Sequence, residues 1–108
     1  MTTAKATIEA GVCGFVTEVT ATCEDGQHVS FSITTPCEKI GRLSETLPTV
    51  DAFAEIGSGF EGRVFTAVRS CCEGCCSGCA VPVGVFKAMQ VAAGLALPRP
   101  VTIQLSKV

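Results

Sequence analysis

Residues 70–82 read SCCEGCCSGCAVP and put five thiols within nine positions, at Cys71, Cys72, Cys75, Cys76 and Cys79. Two CxxC units, Cys72-x2-Cys75 and Cys76-x2-Cys79, stand in tandem, and Cys71, Cys75 and Cys79 recur every fourth residue. Gly74 and Gly78 let the backbone wrap a central object and leave N–H groups free to face its sulfurs. Thiols this dense oxidise unless something holds them. The stretch therefore demands a fold that supports a thiolate centre.

The rest of the chain sets the terms. One core fits in 108 residues, so residues 1–108 are read as a single domain. With 47 % apolar and 17 % charged residues, the chain can fold on that core without cross-links. Its N-terminus, MTTAKATIEAG, has no apolar stretch of the signal-peptide kind, and VPVGVFKAMQVAAGLALP is interrupted by Lys87 and Gln90 and bounded by prolines. A cytoplasmic protein that does not cross a membrane is expected. In that reducing compartment, eight cysteines point to metal or redox chemistry and not to structural disulfides. A net charge of −2, with neither Trp nor Tyr, disfavours a nucleic-acid partner.

Three segments alternate as half-buried strands. They are AKATIEA, with Ala6, Ile8 and Ala10 inward; FVTEVTATC, with Phe15, Val19, Ala21 and Cys23 inward; and HVSFSIT, with Val29, Phe31 and Ile33 inward. Asp25-Gly26 supplies the tight turn between the last two. After Pro36 the period becomes helical, with Ile40, Leu43 and Leu47 on one face until Pro48. Thr49 is expected to cap a short helix carrying Phe53 and Ile56. Residues 60–71 repeat the helical spacing and turn Cys71 toward the core. Pro82 opens a last helix, with Val85, Phe86, Met89, Ala92 and Ala93 inward and Gly94 as its stop. VTIQLSKV alternates again, with Val101, Ile103 and Leu105 on one side. The predicted fold is α+β. A small antiparallel or mixed sheet, made of a three-strand meander plus a C-terminal strand, packs against three to four helices, with a metal site at one end.

Sorting the cysteines by position separates them. Cys23 lies mid-pattern on the inward face of a strand and reads as a small buried hydrophobe. The other seven fall in loops or at element ends. Cys13 sits between glycines in GVCGF, and Cys37 and Cys79 stand at helix starts, where thiolates and anionic clusters are stabilised. If strand and helix ends converge, Cys13, Cys37 and Cys79 meet at one end of the sheet. The metal ligand set is read as Cys13, Cys37, Cys72, Cys75, Cys76 and Cys79, with Cys71 added as a cofactor contact.

Thiolates suit iron–sulfur clusters, zinc and Cu(I). Zinc sites space their CxxC pairs well apart or mix in histidine, whereas here the pairs abut and His28, the one histidine, falls on a wet strand face. The tight group plus distant cysteines is of the iron–sulfur type, although the spacing departs from the ferredoxin run C-x2-C-x2-C-x3-C-P. We therefore expect an iron–sulfur cluster, one or two [4Fe-4S] or one of higher nuclearity. Zinc or another thiophilic metal is the alternative, and thiol redox chemistry comes third.

The frame CGF at 13–15, Cys37 after TP, and CAVPVGVFKA at 79–88 resembles a small cysteine-containing family of unknown function from anaerobic bacteria and archaea. The resemblance covers nearly the whole chain and implies the cytosol of a metal-using anaerobe, with no particular activity. The CC doublets are also similar to the CCG domains of heterodisulfide reductase-like proteins, but the spacing differs and nothing carries over. No phosphate loop, paired carboxylates or Ser/His/Asp set is present, so no catalytic residue is named and a non-enzymatic role is favoured; an enzyme with an under-ligated cluster or cycling CxxC pairs is the alternative. Asp51, Glu55 and Glu61 read as a solvated face. Electron transfer or cluster holding calls for a redox or cluster-accepting protein partner, and the apolar content is compatible with a homodimer.

Overall fold

The computed structural model describes residues 1–108 except for the side chains of Cys75 and Cys76. Strands β1 (Thr2–Glu9), β2 (Val16–Cys23) and β3 (His28–Thr34) form an antiparallel meander. A two-residue strand, β4 (Val50–Asp51), closes the order β1-β2-β3-β4 and pairs antiparallel with β3. The helices are α1 (Glu38–Thr46), α2 (Ala52–Ser58), α3 (Arg63–Cys71) and α4 (Val81–Ala92), with 3-10 turns at Gly59–Glu61 and Gly74–Gly78.

The alternation in the strands sets the layers. Ala4 and Ile8 of β1, Thr17, Val19, Ala21 and Cys23 of β2, and Val29 of β3 are buried on one face. Cross-strand rows such as Ala4–Ala21–Phe31 and Ala6–Val19–Ile33 line that face. Lys5, Thr7, Glu18, Ser30 and Ser32 point to solvent on the other. Ile40 and Leu43 of α1, Val64 and Ala67 of α3, and Val81, Val85 and Met89 of α4 join the sheet residues in one core. Burying each of these larger side chains contributes about 1.5–3 kcal/mol. α4 lies so close to β1 that a Cβ on Gly84 would sit 2.5 Å from Ile8 Cγ1. Gly94, at φ +76°, ends α4, with the Leu95 N–H donating back to the Gln90 carbonyl at 2.8 Å.

Several expectations are corrected. The fourth strand is Val50–Asp51, and residues 101–108 carry no regular structure and are exposed. Their alternation reflects strand propensity, but they pair with no strand here. Asp51, not Thr49, caps α2, because its Oδ1 accepts from Phe53 N at 2.9 Å and Ala54 N at 3.1 Å. Phe15 lies outside β2 and is exposed. Helix α3 begins at Arg63, after the 3-10 turn.

Glu55 does not belong to a solvated face. It is buried, and its carboxylate accepts from Val64 N at 2.7 Å and Arg63 N at 3.0 Å, which caps α3 from a distance in sequence. Gly62 makes room for it, since a Cβ there would lie 3.0 Å from the Glu55 oxygens.

Candidate thiol site at one end of the sheet

The pairing register fixes which chain segments share an end. Glu9 faces Val16 across the β1–β2 hairpin, so the loop with Cys13 caps that end of the sheet. β3 leaves toward the same end, because Thr34 pairs with Glu18. The Thr17 and Thr35 hydroxyls then meet at 2.8 Å and pin the start of α1 beside the start of β2. Cys37 is the next turn of chain, at the N-cap of α1 with extended backbone (φ −82°, ψ 126°), and its N–H donates to Thr35 Oγ1 at 3.2 Å. α4 starts at this end too, since Gly84 in its first turns packs on Ile8 and the rest of the helix runs back along β1 and β2. Cys79 lies just ahead of it. Cys13, Cys37 and Cys79 therefore belong to segments that converge on one end of the sheet. Cys23 pairs with Thr2 and Val29 at the opposite end.

The sulfurs differ in environment. Cys13 is exposed at the hairpin tip, between Gly11 and Gly14 at φ +89° and +74°. Cys37 and Cys79 are half-buried. The Val81 N–H, in the first turn of α4, points at Cys79 Sγ from 3.5 Å. Cys72 is buried against the core. Cys71 is also buried, as expected, but it faces α1, where Thr46 Oγ1 lies 3.6 Å from its sulfur. Cys75 and Cys76, read as ligands from the sequence, lie outside the described residues. Among the described residues, no three His, Cys, Asp or Glu side chains are grouped closely enough to hold a metal.

The donor chemistry fits a soft, anionic centre. All the candidates at this end are thiols, two stand at helix N-termini, and Lys39 adds a positive charge. Its Nζ donates to the Glu73 carbonyl at 2.8 Å and ties the cysteine-rich loop to the first turn of α1. Arg69 is the basic residue nearest the cysteine-rich loop in sequence. It donates instead to the Phe60 carbonyl and to Thr66 Oγ1, away from the thiols. The one signal for Lys39 was its position two residues after Cys37. Thr17 and Thr35, which hold this end together, gave no signal beyond their polarity.

His28 is exposed, as expected of a wet-face residue, and belongs to the far end. Its Nδ1 lies 2.7 Å from Asp25 Oδ2, and this contact raises the imidazole pKa and holds the Asp25 carboxyl far below the usual range. Gln27 Nε2, 2.6 Å from Asp51 Oδ2, is the main cause that lowers the Asp51 pKa.

No helix among the described residues is long and apolar enough to cross a membrane. The model of the family of unknown function DUF6951 matches residues 4–105, so the chain belongs to that family. No curated protein and no solved structure matches it.

Proposed function

We propose that this member of the family is an iron–sulfur protein, with its cluster at the end of the sheet where the β1–β2 loop and the starts of α1 and α4 converge. The observation that carries the reading is that convergence. Cysteines far apart in sequence, at positions 13, 37 and 79, are delivered by three different elements to the end that also receives the cysteine-rich loop, while the strand-bound Cys23 is left at the other end. The ligands are drawn from Cys13, Cys37, Cys72, Cys75, Cys76 and Cys79, and Cys71, packed on Thr46 at the last turn of α1, is left out. A [4Fe-4S] centre needs four thiolates, and six leave room for a second or larger cluster. The Val81 N–H at Cys79 and the ammonium of Lys39 stabilise the net negative charge of such a centre.

The protein then carries electrons, or holds the cluster for a second protein, in a reducing cytoplasm. The sole histidine stands at the opposite end, bonded to Asp25, which weighs against a mixed Cys/His zinc site. The test is anaerobic purification followed by iron, zinc and acid-labile sulfide analysis with the visible spectrum. About four irons and four sulfides per chain indicate one cubane, and about eight indicate that nearly every cysteine is a ligand. Stoichiometric zinc without sulfide refutes the electron-transfer reading.

A further inference from the structure

Residues 101–108, VTIQLSKV, combine the pattern of a strand with the surroundings of a loose end. Val101, Ile103 and Leu105 are 55 %, 69 % and 91 % exposed. Among the described residues, no hydrogen bond joins positions 101–108 to the rest of the chain. A segment that spends three apolar, β-favouring side chains on water has strand chemistry without a partner strand.

The same chain has an edge with the complementary deficiency. β1 is eight residues long and pairs with β2 on one side only, which leaves its outer N–H and C=O groups open along the whole strand. Among the described residues, nothing is hydrogen-bonded to that outer side. Charge does not oppose the match: residues 93–108 contain Arg99 and Lys107 and no carboxylate side chain, and β1 carries one Lys and one Glu.

We propose that residues 101–108 form a strand on the β1 edge of a second copy of this chain, and that the exchange is reciprocal. Each chain brings one fully open eight-residue edge at β1 and one unpaired strand, so a two-fold dimer satisfies both. With Val101, Ile103 and Leu105 on the helix-covered face, they extend the row that begins with Ala4, Ala6 and Ile8, while Thr102, Gln104 and Ser106 join the wet face. Two strands of about 26 Å each, laid on two edges, cover on the order of 1,500 Å² in all, within the range of stable dimers. The inference is independent of any cluster.

The test is light scattering of the full chain under reducing conditions, which exclude disulfide-linked dimers, together with amide hydrogen exchange. The expected mass is twice 11.1 kDa, with amides of 101–106 protected at least ~10-fold over an unpaired peptide. Ile103→Pro, in a segment that among the described residues makes no hydrogen bond to the rest of its chain, should give a monomer with the β2 and β3 amides still protected. Leu105→Asp should do the same through its charge. A monomer with an unprotected tail overturns the proposal, and so does a monomer with a protected tail, which would mean that the tail closes its own β1 edge. A dimer that survives both substitutions assigns the interface to another surface.

Discussion

The two ends of the sheet are built from opposite materials. At the turn between β2 and β3 the side chains of Asp25, Gln27 and His28 find partners within a few residues or across one strand pair. Asp25 Oδ1 accepts from Gln27 N at 2.9 Å and His28 N at 2.7 Å, its other oxygen meets the imidazole, and Asp51 caps α2 while binding Gln27. Such an end is complete by itself. At the other end three chain segments and a glycine-broken loop arrive with thiols. Among the described residues, the sulfurs of Cys13 and Cys37 receive no hydrogen bond, and Cys79 receives one at 3.5 Å. A self-satisfied turn closes its own polar groups, whereas the other end gathers thiol-bearing segments from distant positions, and that contrast is what the proposed cluster rests on.

The comparison breaks most forcefully if the cluster is stripped. If that end holds the proposed cluster, oxidative chelation of its iron should lower Tm by roughly 10 °C or more, because a ligand that binds only the folded chain adds its binding energy to stability. The 72–80 loop should lose amide protection while the 24–28 turn keeps its own. Calorimetry and hydrogen exchange read both, and equal loosening at the two ends would erase the distinction.

Next in size is Glu55→Ala. It strips two helix-capping N–H groups of a buried, charged acceptor and should cost about 2–4 kcal/mol in denaturant unfolding. Iron content per folded chain should not change, since Glu55 serves α3 and not the thiols.

Cys23→Ala sharpens the contrast between cysteines. The side chain is 2 % exposed in the core, and its truncation should cost about 1 kcal/mol for the small cavity, with full retention of iron and sulfide. Loss of metal from this variant would promote Cys23 to a ligand.

The smallest effect belongs to His28→Gln at the turn end. Hydrogen bonding to His28 lowers the Asp25 pKa, and hydrogen bonding to Asp25 raises that of His28. The raised imidazole contributes stability that is full below its unfolded value of about 6.5 and disappears as pH climbs through its higher folded value. The depressed carboxylate contributes above its unfolded value of about 4 and is lost only as pH falls through its lower folded value. The Tm gap between the wild type and His28→Gln should therefore be widest between the unfolded values of about 4 and about 6.5 and narrow as pH climbs through the raised folded value of His28. Both groups are exposed, so a shift of a degree or two is all that is expected. A gap that widens with pH would mean that the pair is not what stabilises this turn.

How much of this was legible in the sequence depended on whether the signal was local. The meander was readable because alternation with one wet face has few other meanings, and the placement of Val19, Ala21 and Val29 follows from it. The positions of Cys13, Cys37 and Cys79 at element ends were readable, and the register brings the segments that carry them to one end of the sheet. Partnership was not readable. The alternation at 101–108 states that the segment suits a strand and not which edge receives it, and β4 has only two residues to announce itself. Glu55 looked solvated because the N–H groups it caps lie eight and nine residues away. Lys39 escaped notice because it meets Glu73 from 34 positions off.

The most direct test of the account compares the two ends in one assay, iron and acid-labile sulfide per chain after anaerobic reconstitution of the wild type, Cys23→Ala and the double variant Cys37→Ser/Cys79→Ser. With a cluster held at the thiol end, iron and sulfide should be equal in the first two and fall by more than ~80 % in the third, with folding retained by circular dichroism. Full iron and sulfide in the double variant would contradict the account, because the cluster would then owe nothing to the helix starts that converge on the thiol end.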